Sequence, residues 1–381
     1  MKKKLVVLTV VSALACMSYL TFTTIDPKTP VADAAGKTYS GIVYVAGMGG
    51  HFAKADVTID PANANEPVKV NSLDRIVIGD KNYATHDARI DVNDRNTMFW
   101  STYVPDANKK IHVGKSDLKT GTVIKDVALT PDPKASTEKP PAYCASGQSK
   151  NFYMPVFMGQ EGYVDVFDKK DMSHKHRVWV SDLGYAKGTY KFTHGINSPD
   201  MKTFLLALNQ AKDGKGTGEI DFILVDIAAL EKGKFKQLAK ATLKGEPDKT
   251  ITFRQYFSND GKRIYQSAGD RLWVLDAKTL KQVDEKMMPE GSQLHDAQTT
   301  ADDKYALLTV RTVTAGCDAD GKALVKDGKG IDITDGTFML YDASAKKVSE
   351  KSTSVCLACH KGMGLGDKNA VLCGLDSNWK N

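Results

Sequence analysis

Short apolar runs, five to seven positions long and ending in aspartate, recur along most of this chain. They read Ala55-Asp56-Val57-Thr58-Ile59-Asp60, then less cleanly Ile111 to Asp117, then Tyr163-Val164-Asp165-Val166-Phe167-Asp168 and Phe222-Ile223-Leu224-Val225-Asp226. Leu272-Trp273-Val274-Leu275-Asp276 and Phe338-Met339-Leu340-Tyr341-Asp342 complete the series, and the terminal aspartates stand 57, 51, 58, 50 and 66 residues apart. Short apolar runs bounded by turn residues predict strands, and an aspartate at the end of each supplies a side-chain oxygen for a tight turn.

A second marker precedes most of these strands: a polar turn leading into another apolar run. Ser198-Pro199-Asp200-Met201-Lys202 precedes Phe204, Ser258-Asn259-Asp260-Gly261-Lys262 precedes Ile264, and Thr300-Ala301-Asp302-Asp303-Lys304 precedes Tyr305. Asn93-Asp94-Arg95 and, more weakly, Ser146 to Lys150 hold the same place in two further units. Each unit therefore reads as about four short strands joined by hairpins. Helical periodicity is nearly absent, with Ile227 to Lys232 making one turn at most.

A self-similar unit of about 50 residues containing four strands predicts a β-propeller blade. The expected fold is all-β, a propeller of six blades over residues 40–350, with seven as the alternative because the last gap is long. The competing architecture is a large β-sandwich. The first unit lacks an inner strand, since the chain enters it directly at Ile42-Val43-Tyr44, and the segment Val371 to Trp379 is suited to supply that strand. The repeat pattern resembles the YVTN-type propellers, which include the large subunits of amine dehydrogenases and the haem d1 domain of cytochrome cd1. That resemblance rests on pattern over residues 40–350, without a diagnostic string.

The ends of the chain carry different signals. Lys2, Lys3 and Lys4 precede a mostly apolar run, Leu5 to Phe22, and a polar stretch ending at Ala32-Asp33-Ala34. This is the layout of an export signal, to be cleaved after residue 34 or kept as a single anchor. Lipidation at Cys16 is the third option, disfavoured by Ala13 where such signals want leucine. All three predict a domain outside the cytoplasm, periplasmic or extracellular, touching a membrane only through residues 1–34.

Near the other end stands Cys356-Leu357-Ala358-Cys359-His360. Two thiols three positions apart add across the vinyl groups of haem, and the following histidine binds iron on the proximal face. The expected cofactor is one covalent haem c, and residues 351–381 are read as its attachment segment. A redox dithiol, a half zinc site and a Cys356–Cys359 disulfide are the alternatives; no second such motif is present. Met363 lies too close to His360 to reach the opposite face of the haem, so a sixth ligand is expected from the propeller.

Aligning the units on their polar turns puts His86, His194 and His295 at similar points on or near the innermost strands, with Arg254 in the fifth unit and Cys144 close to that place in the third. Asp87 and Asp296 follow two of these histidines. The group is expected at one mouth of the central channel, as a distal haem ligand or as a site for a metal, a second cofactor or an anionic substrate. The competing expectation is that the imidazoles only tie neighbouring blades together. His174 and His176 fall in a charged hairpin and are expected to be solvated, while His51 and His112 carry no signal. In oxidising surroundings Cys317, in an insertion rich in glycine and aspartate, is expected to pair with Cys373, leaving Cys144 outside the disulfide.

The net charge of +6, falling to +4 without residues 1–34, is spread along the chain. Nucleic-acid binding is not expected, since it wants clustered Lys and Arg. A loose encounter with an acidic redox partner, such as another exported cytochrome or electron acceptor, suits it better. The leading expectation is thus an exported monohaem electron carrier on a propeller scaffold. A haem-dependent oxidoreductase acting in the channel mouth, and a propeller binding module with a structural or sensing haem, are the alternatives.

Overall fold

The computed structural model describes residues 36–47, 51–79, 85–87, 89–102, 105–135, 143–159, 161–313, 334–355 and 372–380. These form six antiparallel sheets arranged as a β-propeller. In blades two to six the chain runs from the innermost strand outwards. The innermost strands are Arg89–Ile90, Tyr143–Gln148, Tyr190–Asn197, Gln255–Phe257 and Ser292–Thr299. The first blade is assembled differently. Its innermost strand is Leu372–Lys380, paired antiparallel with Tyr39–Gly47 from the start of the described chain.

Blade six carries its fourth strand as two short pieces, Lys347–Val348 and Thr353–Ser354, both paired with Thr334–Asp342. Described residues of the C-terminal stretch therefore belong to two blades, one on either side of the sequence Cys356 to Val371.

The ring is held by six apolar cores among the described residues, one in each gap between adjacent blades. Val43 and Val45 face Leu307 and Leu340 across the closing gap, whereas the alternate residues Tyr44 and Ala46 face Met98 and Trp100 of blade two. The same split recurs in blade four, where Phe204, Leu206 and Leu208 pack on blade three while Leu205 and Ala207 pack on blade five. Successive side chains of a strand point to opposite faces, so a strand buried on both sides must be apolar at nearly every position. That is why middle strands such as Thr203–Lys212 and Arg271–Asp276 read as nearly continuous apolar runs.

The terminal aspartates do what their position implies. Asp276 Oδ1 accepts from the backbone N–H groups of Lys278 and Thr279, Asp117 Oδ1 from those of Lys119 and Thr120, and Asp342 Oδ1 from those of Ser344 and Ala345. Asp226 caps the single helical turn, Ile227–Leu230, through the Ala229 N–H. The second marker works alike: Ser198, Ser258 and Thr300 each donate their hydroxyl to the aspartate two residues on.

Candidate functional site

The strand registers fix which loops share a face. Leu372, which opens the inner strand of blade one, pairs with Gly47; Thr334 pairs with Val313; and Ser354 pairs with Thr337, with the Val355 N–H bonded to Gly336 O. All of these positions lie at the end where the inner strands begin. The same end holds the polar cluster. His86 and Asp87 precede the inner strand of blade two, Cys144 and Ser146 lie on that of blade three, His194 on that of blade four, and Arg254 just before that of blade five. His295 and Asp296 belong to blade six and Gly374 to blade one, so every blade contributes.

Arg254 and Asp87 come from opposite blades, five and two, and form an ion pair through Nη1 and Oδ1. Asp87 also accepts from the hydroxyls of Ser146 and, at 3.1 Å, of Tyr153. His86 Nε2 lies 3.1 Å from Cys144 Sγ. Asp296 is the second acidic centre: one oxygen takes the Thr309 hydroxyl at 2.6 Å and faces His295 Nδ1 at 2.8 Å. Its other oxygen takes the Tyr256 hydroxyl at 2.7 Å and the Leu375 N–H at 3.0 Å. The carboxylate fixes the His295 tautomer with the proton on Nδ1, which leaves the lone pair on Nε2.

Burial sets the charge states. His86, His194, Arg254 and His295 are each only 1% exposed. Burial, with the positive charge of Arg254, holds the His86 and His194 imidazoles well below the usual range. Burial and Arg311 bring His295 down to about 4, against the pull of Asp296. Burial alone would raise the Asp296 carboxyl, but His295, Arg254 and the Thr309 hydroxyl outweigh it and keep the group ionised. Burial opposes the charge of Arg254, and Asp87 more than restores it. At neutral pH the cluster is therefore three neutral imidazoles around one guanidinium–carboxylate pair, Arg254–Asp87, and a second carboxylate, Asp296, held by hydroxyl and amide donors.

The structure brings His86, His194 and His295 into one cluster with Arg254, Cys144, Asp87 and Asp296. Tying of blades accounts for part of it: Asp296, which orients His295, also accepts the Leu375 N–H of blade one at 3.0 Å. It does not account for His194, neither of whose ring nitrogens has a hydrogen-bond partner. Among the described residues no three histidine, cysteine or carboxylate groups stand close enough to hold a metal ion. Cys356, Cys359, His360, Met363 and Cys317 lie outside the described residues, as do residues 1–35 and the Cys373 side chain; among the described residues no helix is long and apolar enough to cross a membrane.

Sequence reasoning missed the hydroxyls of Tyr153, Tyr256, Ser146 and Thr309, which solvate the two carboxylates. Tyr256 sits two positions after Arg254, on the strand that Arg254 leads into, and that spacing was the available signal. His174 and His176 are exposed, as expected, and His174 Nε2 also lies 2.9 Å from the buried Asp165, which Arg177 clasps at 2.8 and 2.9 Å. His112 is held between Asp126 and Asp106.

No protein-family model matches the chain, and no curated protein does. Solved structures similar to it include Kuenenia stuttgartiensis hydrazine synthase, at 16% identity over 69% of this chain and 64% of that one, with a TM-score of 0.44. The Dos1 propeller is similar at 11% identity over 87% and 68%, with a TM-score of 0.45. The β-propeller domain of Cps50 (Swd1) from Myceliophteria thermophila is similar at 12% identity over 71% and 86%, with a TM-score of 0.40. The chain thus spans less than two thirds of the hydrazine synthase chain it matches.

Proposed function

We propose that this protein is an exported c-type cytochrome that carries one haem on Cys356 and Cys359, with His360 as proximal iron ligand, and passes single electrons to and from a redox partner. The observation that carries the reading is the motif itself: two thiols and an imidazole at this spacing are the donor set that covalent haem c requires, and the basic, apolar-cored N-terminus supports delivery to the compartment where it is attached. When bound, haem c supplies one-electron chemistry by cycling iron between ferric and ferrous states. The propeller acts as scaffold and docking surface. Val355 and Leu372, between which the motif lies, both stand at the face that holds the polar cluster, which supports a redox centre near the mouth of the channel.

The test is spectroscopic. Protein exported by a host competent in haem attachment should retain a Soret chromophore after denaturation, with a pyridine haemochrome count of one per chain. Cys356→Ser with Cys359→Ser should abolish it. A colourless wild-type product, or a chromophore that survives loss of both thiols, rules the reading out.

A second reading is favoured by one specific observation. His194 and one edge of Arg254 are buried without hydrogen-bond partners, as expected of groups kept for a ligand, so the protein acts as an oxidoreductase in the channel with haem as the exit for electrons. A high-spin ferric spectrum, or one altered by small ligands, supports this reading over the pure carrier. Membrane contact, if residues 1–34 are retained, is confined to them, and nucleic acid is not among the proposed partners.

A further inference from the structure

The cluster at the propeller axis contains donors that nothing in the fold uses. Arg254 commits Nη1 to Asp87, whereas Nε and Nη2, which together form the other, side-on edge of the guanidinium, bond to nothing. Both ring nitrogens of His194 are in the same condition. A buried polar group left unsatisfied costs about 1–3 kcal/mol, and more when charged, so folds rarely keep several side by side without a use.

Backbone, and no side chain of the closing strand, approaches this guanidinium at Gly374. Gly374 sits beside it at φ +62°, and a Cβ there would lie 2.5 Å from Nη2. Glycine alone tolerates both that conformation and that approach. Asp87 neutralises Arg254 through Nη1 alone and leaves the side-on pair of N–H groups unengaged. Two parallel N–H groups match the paired oxygens of a planar anion, the geometry in which arginine binds carboxylates bidentately. No three-ligand metal group is present among the described residues.

We propose that the Nε–Nη2 edge of Arg254, with the unpartnered N–H of His194 in the same cluster as a further donor, binds one small carboxylate per chain at the propeller axis. The proposal names the substrate class for the second functional reading, but its site consists only of described propeller residues. It stands or falls independently of haem on Cys356 and Cys359.

The experiment is calorimetric titration of the purified full chain with sodium acetate at constant ionic strength, with nitrate as a second planar oxyanion and chloride as a non-planar control. Acetate should saturate a single site, bind at least as tightly as nitrate, and outcompete chloride. Arg254→Lys keeps the charge but not the fork, and should weaken acetate at least tenfold. His194→Leu guards against a variant that fails to fold: it removes no hydrogen bond, so its thermal midpoint should equal or exceed that of the parent while acetate binding falls several-fold. Absence of saturable binding, nitrate strongly preferred over acetate, chloride competing as an equal, or unchanged affinity in His194→Leu would each overturn the proposal. Haem content, read from the same samples, reports separately on the cytochrome reading.

Discussion

Single residues at the axis decide two measurable properties. The Arg254–Asp87 pair is almost wholly buried, with side chains 2% and 0% exposed. Removing one partner of such a pair strands a buried charge and typically costs about 3–5 kcal/mol. Asp87→Asn should therefore lower the urea midpoint far more than Asp260→Asn in an exposed turn, and equal effects would show that the pair contributes little. The imidazoles add a pH dependence. Their folded-state values lie below the ordinary 6.5, so the unfolded chain takes up protons that the native state refuses. The stabilisation is complete above the unfolded pKa and is lost as pH falls below it; for His295 the loss ends near pH 4, facing Arg311, Asp296 and Arg254. Each histidine contributes a slope of up to about 1.4 kcal/mol per pH unit in that window. Urea midpoints should drop between pH 7.5 and pH 5, less steeply in His194→Leu; a flat profile excludes neutral buried imidazoles. The positions of these histidines were legible because repeats align them on equivalent strands. Their hydroxyl partners were not, because serine, threonine and tyrosine are as common on ordinary strands as around a carboxylate.

At the scale of the element, the aspartate that closes each third strand carries most of the signal that made the repeat visible. Asp276 accepts two backbone N–H groups and the Thr279 hydroxyl in one turn. Asp276→Ala should cost about 1 kcal/mol, the size of a lost cap, with no change in ligand binding; a loss above 3 kcal/mol would mean the turn does more than close a hairpin. In blades two to five a register shift falls between the residues two and one positions before that aspartate, as at Val274/Leu275 and Leu224/Val225. The extra residue goes to the outer strand. Ile124, Leu238 and Val283 occupy it, exposed at 53%, 48% and 36%. Bulges of this kind twist an edge away from pairing with another chain, which explains how outer strands tolerate apolar side chains in solvent. The bulges were not readable beforehand, because one added residue in a polar hairpin leaves no mark on hydrophobic period.

For the whole molecule, six inter-blade cores make the ring a cooperative structure, and the closing strand completes one of them. Leu375 is buried in the core between blades six and one. Asp376 joins three blades, accepting from the Ile90 N–H at 2.8 Å and from Gln298 at 3.0 Å. Leu375→Ala should cost about 2–5 kcal/mol by leaving a cavity. A chain ending at residue 371 should bind a hydrophobic dye and lose its sharp unfolding transition; a truncated product that unfolds like the parent would show that blade one needs no fourth strand. Blade count and closure were legible because an incomplete first unit demands a partner. The motif Cys356 to His360 lies outside the described residues, and a five-residue string says nothing about its own placement.

Closure of this kind also has a consequence in time. Tyr44 pairs with Asp376, so the first strand made waits for almost the last before its inner edge is covered. During synthesis on the ribosome, every other sheet can form while this one still offers a row of open amide groups. Such long-range pairing is slow, and an open edge invites misassociation with other nascent chains. The final nine-residue strand thus sets the moment at which the molecule becomes safe from its own copies.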